Sequence, residues 1–479
     1  MTSCVQCAQD HSQRQDRSQP FSNSTRRTYL RNRMAELDAS IAALSAERRS
    51  LQEESDSIIY PILSLPTEIT IEVFLRCAAS NRLPSPSPSE APLLLAQICS
   101  RWRQLVLDTP VLWRSLLFHG DSSSAELLEL WLSRSGSMPL DYTLYCSEPS
   151  RAGALIEASI LHSHRWQNIS LGLPLTSYPA LDGLPLPVLR AIRVQLHHVA
   201  SNVNEVVRDP IIIPHAPLLR TAHISSLPLL KVYVPLWNLT TLQLSSDVEL
   251  AKCVEILENC PELVHLDVHT TGSADVLSPL IIEHLESLAF NLGEAHILQH
   301  LTLPRLRRLT AAGQMVASHV SHLDSFVRRS ACILDFLSVH EAHEPGALHA
   351  WLRAASPSSS VAELELVRCA AWYTSGDMPS ILLAPDVLPG LKRLRISGYQ
   401  PSHLDHNRLI DILRARRKGA SGWAVLESVA IDLVSRGSRG MPRSSMRASL
   451  RALAAEGLDI KFTTTDRSVT THVIIDSRV

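Results

Sequence analysis

One short phrase recurs along the last two thirds of the chain and constrains its fold more than any other feature. It consists of an apolar residue, two of any kind, a second apolar residue, one of any kind, and a third apolar residue. The phrase occurs as Trp166-x-x-Ile169-x-Leu171, Leu189-x-x-Ile192-x-Val194, Leu219-x-x-Ala222-x-Ile224 and Leu239-x-x-Leu242-x-Leu244. It continues as Leu263-x-x-Leu266-x-Val268, Leu285-x-x-Leu288-x-Phe290, Leu306-x-x-Leu309-x-Ala311 and Leu334-x-x-Leu337-x-Val339. The last three are Val361-x-x-Leu364-x-Leu366, Leu391-x-x-Leu394-x-Ile396 and Leu426-x-x-Val429-x-Ile431. Successive starts lie 20 to 35 residues apart, the spacing of stacked structural repeats.

The alternating end of each phrase specifies a short strand with one buried face. Helical spacing returns between phrases, as in Val254 and Leu257, in Leu323, Phe326 and Val327, in Leu348, Trp351, Leu352 and Ala355, and in Leu409, Ile412, Leu413 and Arg416. One strand and one helix per period predict an α/β coil, right-handed, with a parallel sheet along one side. Pro187, Pro217, Pro261, Pro304 and Pro389 each stand two residues before the first apolar position. A proline there is expected to stop the preceding helix and preset an extended approach to the strand. Spacing and phrase resemble leucine-rich repeats, with one departure. The position three residues after the last strand residue, often Asn in such repeats, holds Pro174, His197, Asp247, Gly293 and Cys369 among others. An irregular solenoid over residues 161–479 follows, with Leu450, Leu453, Gly457 and Ile460-Lys461-Phe462 as a closing helix and strand.

Composition fits this reading. Hydrophobic residues make up 45% of the 479 and aromatics only 5%, so the core is aliphatic, as stacked layers of Leu, Ile and Val require. A formal net charge of -2 gives no overall pull toward nucleic acid or an anionic membrane surface. The nine cysteines show no framework spacing, and no apolar run reaches the roughly 20 residues of a membrane span. The polar start carries no apolar signal stretch. These features predict a reduced protein of the cytoplasm and/or nucleus.

Upstream of the repeats the pattern is different. Residues 1–25 are polar and expected to be disordered. Their Cys4-x-x-Cys7 pair has only His11 nearby, too few ligands for a zinc site, so no metal is expected. Across 26–57, Leu30, Leu37, Leu44 and Leu51 recur every seven residues with Met34 and Ile41 between them. That is an a/d seam on one helix, weakened where Arg48 and Ser55 interrupt it. The seam fits either docking on the same chain or a coiled-coil partner.

Pro66 at a first helical position opens a helix whose apolar positions are Ile69, Val73, Phe74 and Cys77. Four prolines among serines between Arg82 and Pro92 predict a loop. A second amphipathic helix should carry Leu95, Ile98, Trp102, Leu105 and Val106, before the apolar turn Val111-Leu112-Trp113. The set Leu65-Pro66-x-Glu68-Ile69, Ile98-Cys99-x-x-Trp102-Arg103 and Pro110-x-Leu112-Trp113 resembles an F-box over 58–118. With the heptad helix before it and the repeats after it, the layout resembles the fungal F-box proteins with C-terminal leucine-rich repeats. A helical connector, 119–160, would join the two parts. The resemblance implies an SKP-type adaptor contacted by Leu65, Pro66, Ile69, Phe74, Ile98 and Trp102, and through it a cullin. The loop between the first two helices is longer than in compact F-boxes.

Catalytic motifs are wanting: there is no GxxxxGK[ST], GxSxG, HExxH or dinucleotide glycine fingerprint. Most of the 21 histidines follow or fall within the phrases, as surface or turn residues. Glu363 and Glu365, two apart on a strand, should share the solvent face. Arg414, Arg416, Arg417 and Lys418 read as a solvated basic cluster beside a helix end. No cofactor or catalytic residue is expected. The resemblance implies the substrate-recognition subunit of an SCF-type ubiquitin ligase that binds a target protein; the rival reading is a scaffold outside any ligase.

Overall fold

The structure, a computed structural model, describes residues 23–57, 61–78, 82–174, 177, 183–197, 211–212, 216–225, 232–272, 279–292, 296–355, 360–369, 381–399, 406–419, 422–435 and 444–466. Residues 1–22, including the Cys4/Cys7 pair, lie outside them. The chain divides into two units, Met1–Val73 and Phe74–Val479.

The first unit contains one long helix, α1 (Asn23–Ser57), a 3-10 turn (Pro61–Ser64) and the start of α2 (Thr67–Ala78). The apolar seam residues of α1 are exposed, from Leu37 at 48% to Leu44 at 64%.

The second unit carries a 14-stranded sheet in which the strands follow one another in chain order and every pairing is parallel. Its strands are β1 (Ser115–His119), β2 (Leu140–Tyr145), β3 (Trp166–Pro174), β4 (Ala191–His197), β6 (Thr221–Ser225), β8 (Thr241–Glu249) and β9 (His265–Thr271). They continue with β11 (Ser287–Asn291), β13 (Arg308–Ala312), β14 (Phe336–His340), β15 (Glu363–Val367), β16 (Arg393–Tyr399), β17 (Ser428–Ser435) and β18 (Asp459–Asp466). Two-residue strands form two small side sheets: β5 (Ile211–Ile212) with β7 (Val232–Tyr233), and β10 (Leu280–Ile281) with β12 (Leu301–Thr302). The connecting helices are α3 (Leu95–Ile98), α4 (Ser100–Leu107), α5 (Ala125–Arg134), α6 (Pro149–Ile160), α7 (Leu250–Glu258), α8 (Ile297–His300), α9 (Ala317–Ser330), α10 (Pro345–Ala355), α11 (His406–Lys418) and α12 (Ser444–Ala455).

All eleven phrases fall where expected. Their alternating pairs lie in β3, β4, β6, β8, β9, β11, β13, β14, β15, β16 and β17 and are buried, and their leading residues, Trp166 through Leu426, are at most 1% exposed. Register aligns like with like: Leu337 pairs with Leu364, Leu364 with Leu394, and Leu394 with Val429. The core is therefore a set of aliphatic rows crossing the sheet, each side chain resting on the equivalent one of the next repeat.

The phrase prolines act differently from expectation. The N–H of Leu189 bonds the carbonyl of Leu186, and Leu219, Leu263, Leu306 and Leu391 do the same to Ala216, Cys260, Leu303 and Leu388. Each proline is thus the second residue of a β-turn, where its fixed φ is preset. It turns the chain so that the leading leucine drops into the core, rather than extending it.

Two more strands precede the first phrase, so the sheet begins before residue 161. Trp113-x-x-Leu116-x-Phe118 has the phrase pattern but overlaps the turn that ends the Leu-Pro segment. Leu140-x-Tyr142-x-Leu144 alternates without an apolar residue three positions before Tyr142. Both strands are nonetheless built the same way, with Leu116, Phe118, Leu140, Tyr142 and Leu144 at most 1% exposed.

Between successive strands, arginines make long-range bonds. Arg165 donates to the carbonyls of Leu132 and Met138, at 3.1 Å each, and to the Ser135 hydroxyl. Arg329 reaches the Leu298 and Leu301 carbonyls. Arg416 donates to Leu382, Val387 and Leu388 at 2.5 to 2.9 Å. These acceptors lie 27 to 34 residues earlier, one repeat back. Cys369 contributes the same kind of link, its thiol donating to the Val339 carbonyl at 3.3 Å. The reading of Arg416 as part of a solvated cluster is corrected: it is 1% exposed, stacks over Trp423 at 4.4 Å, and its guanidinium is drawn down to about 10 by burial.

A glycine permits one local irregularity. At Gly398 (φ +79°) the β16–β17 register shifts between Ser397 and Tyr399, and a Cβ there would stand 2.6 Å from Arg368 Cγ. Tyr399 turns inward beyond it, and its hydroxyl accepts the Cys369 N–H at 2.7 Å.

Candidate functional site

Two surfaces are candidates for binding, and the first lies around the Leu-Pro segment. Pro66 stands just before α2, and its carbonyl accepts both the amide and the hydroxyl of Thr70. The proline removes a donor that a helix start leaves unpaired anyway. In the first unit Leu65 is half-buried, Pro66 is exposed, and Ile69 and Val73 on α2 are 51% and 36% exposed.

In the second unit, two residues expected to face a partner lie in the interior. Phe74 is fully buried and meets Trp102 edge-on, ring centroids 4.9 Å apart. An aromatic pair of this geometry favours packing in an interior, and here both rings lie within the second unit. Trp113 continues the same core: its indole N–H donates to the Val106 carbonyl at 2.8 Å, and its ring packs against Trp131 at 4.8 Å under the Arg134 guanidinium. Ile98, by contrast, is 56% exposed, as is Leu94 at 45%.

The expected single second helix is broken in two. Cys99 adopts an extended backbone (φ -157°, ψ 167°) between α3 and α4, and its sulfur accepts the Trp102 N–H at 3.5 Å. The break separates the outward Ile98 from the inward Trp102, which an unbroken helix would have placed on one face.

The Pro/Ser segment is fastened to the fold. Glu90 accepts both the N–H and the hydroxyl of Ser85, at 2.9 and 2.8 Å, and these bonds hold its carboxyl below the usual range. Gln97 bonds the Pro88 carbonyl. The Pro84 carbonyl accepts the Leu117 N–H at 2.7 Å. That last bond occupies a donor on β1, an edge of the sheet, where an open donor invites another strand.

The second candidate surface is the solvent face of the sheet. Its central row runs, partner to partner, Arg193, His223, Gln243, Asp267, Ala289, Thr310, Ser338, Glu365, Arg395, Ala430 and Lys461. Toward the C-terminal strands the charges are mutually satisfied. Glu363 pairs with Arg393 at 3.1 Å, and Arg395 lies between Glu365 and Asp432 at 3.9 and 3.6 Å. Ser338 hydrogen-bonds Glu365 and His340 at 3.0 Å each, and Arg308 lies over Phe336 at 3.9 Å. Burial raises the Asp267 carboxyl above its usual range, and burial with nearby Arg193 pushes His223 down to about 4. Glu363 and Glu365 share this face, as their spacing predicted.

Among the described residues no three His, Cys, Asp or Glu side chains are placed to hold a metal ion. No helix among them is long and apolar enough to cross a membrane. A shallow groove of about 340 Å³ lies along α1, lined by Leu44, Glu47, Arg48, Leu51, Gln52 and Ser55; it is the space between seam side chains. Comparison with models of known protein families and with curated proteins gave no match.

Proposed function

We propose that this chain is the target-recognition subunit of an SCF-type ubiquitin ligase, an F-box followed by an irregular leucine-rich-repeat solenoid. The observation that carries the reading is the ordered Leu-Pro, Ile-Cys-x-x-Trp and Pro-x-Leu-Trp motifs placed directly before a sheet of regular parallel repeats. The adaptor would take Leu65, Pro66, Ile69 and Ile98, the members of the expected set that carry exposed or half-exposed surface. Phe74 and Trp102 would serve the interior of the second unit. The solvent face of the repeats would hold the target. In that arrangement the chain needs no catalytic group, because holding target and conjugating enzyme together raises their effective concentration.

The test is copurification of the full chain with an SKP-type adaptor and a cullin. The wild type should retain the adaptor at micromolar concentration. Ile69→Asp with Ile98→Asp should abolish retention while the thermal transition stays within a few degrees, because both side chains are already exposed. A wild type that ignores the adaptor overturns the ligase reading and leaves the scaffold reading. That alternative draws its support from α1, whose apolar seam is open to solvent and suits assembly without a ligase.

A further inference from the structure

We infer that α1 is one half of an antiparallel two-stranded coiled coil whose other half is the same helix of a second copy of this chain. The helix has 35 residues, so it extends about 50 Å. Its seam residues Leu30, Met34, Leu37, Ile41, Leu44 and Leu51 are 48% to 64% exposed. Helices gain most of their stability by burying such a stripe, and among the described residues this one is exposed.

The heptad places Leu30, Leu37, Leu44 and Leu51 at d and Arg27, Met34, Ile41, Arg48 and Ser55 at a. Orientation follows from the charges. In a parallel pair in register, identical a residues meet, so Arg27 would face Arg27 and Arg48 would face Arg48. On the flanks Arg26 would oppose Arg31, and only Arg33 with Asp38 would attract.

In an antiparallel pair a residues meet d residues. The centre then stacks Met34 on Leu44 and Leu37 on Ile41, each twice by symmetry. Arg48 lies against Leu30 and Arg27 against Leu51, where the long arginine stems cover leucine and the heads reach water. The g positions, Arg26, Arg33, Ser40, Glu47 and Glu54, pair across the same register as Arg26 with Glu54, Arg33 with Glu47, and Ser40 with its own copy. That gives four attractive pairs against a single repulsion, Asp38 with its copy. A slip of one heptad shortens the shared seam: one direction keeps only Arg33 with Glu54 and sets Leu30 against Ser55, and the other pairs Arg26 with Glu47 and Arg31 with Asp38 but leaves Leu51 beyond the end of the partner helix. Within its own helix Arg33 pairs with Glu36 at 2.8 Å, both side chains largely exposed, a contact that yields easily to a better partner.

The experiment is sedimentation velocity of the full chain between about 1 and 100 μM, with two sets of variants. The wild type should self-associate to a dimer. Arg33→Glu should weaken association roughly tenfold by turning two attractions into repulsions, and adding Glu47→Arg should restore it. Ser40→Cys should form a disulfide-linked dimer under mild oxidation beyond any formed by wild type, since residue 40 meets itself only in the antiparallel register. A wild type that stays monomeric at 100 μM overturns the inference. So does rescue of Arg33→Glu by Asp38→Arg in place of Glu47→Arg, which would mean parallel strands. Adaptor retention by the same variants is read separately and should not change.

Discussion

Arg416 takes a cation into a site 1% exposed to solvent and meets carbonyl oxygens and a tryptophan face. Its five N–H donors form a rigid fork that no other side chain reproduces. Replacing it with methionine would keep most of the volume and leave the carbonyls of Leu382, Val387 and Leu388 without a donor. The expected cost is about 3 kcal/mol, the sum of several buried acceptors left unpaired. Lysine, which keeps the charge without the fork, should lose roughly half of that. Urea denaturation of both variants checks the claim, and a methionine variant as stable as wild type would refute the role. This residue also shows where sequence reading stops. Arg416 belonged to the helical apolar spacing and equally to a run of basic residues, and charge favoured the surface. Only the carbonyls of the preceding repeat, 28 to 34 residues away, decide the matter. Nothing in the local sequence announces them.

At the scale of elements, what was legible had a period and what was not had a partner. The eleven strands and helices such as α7, α9, α10 and α11 follow from spacing alone, because one buried face dictates the pattern. The break at Cys99 and the inward turn of Phe74 depend on what α4 meets, so the adaptor set was only partly readable. Helix α9 adds a pH-dependent element for the same reason. His319 Nδ1 accepts the Val316 N–H at the helix start, and His322 meets Gln299 and the His296 ring, the rings 5.4 Å apart. Burial, then neighbouring imidazoles, holds His319 and His322 below the ordinary histidine pKa. The folded chain therefore binds fewer protons here than the unfolded chain near and below pH 6.5, and stability rises with pH through that window. The contribution is complete above the unfolded value and is lost as pH falls through the lowered folded values. A protonated His319 would also lose its acceptor role and place a cation at a helix N-terminus. The urea midpoint should fall between pH 7.5 and 5, and His322→Gln should flatten that fall; an unchanged slope would show that the cluster is not responsible.

For the molecule as a whole, the important fact is that strand order in the main sheet equals chain order. Each inner strand pairs with its two neighbours in chain order, so among the described residues the pairings of the sheet are local in sequence. Repeats of this kind lose stability from their ends and by neighbours. Under mechanical load the same arrangement means that a tether attached to β18 pulls it from β17 one hydrogen bond at a time. It then meets the next repeat with its bonds intact. Single-molecule stretching of the repeat region should therefore give a train of small ruptures instead of one large one. Each would release about 7 to 12 nm, the extended length of one repeat of 20 to 35 residues. A single all-or-none rupture would mean that the repeats share their load. The expected behaviour is that of a ratchet, yielding by increments while the remainder keeps its shape.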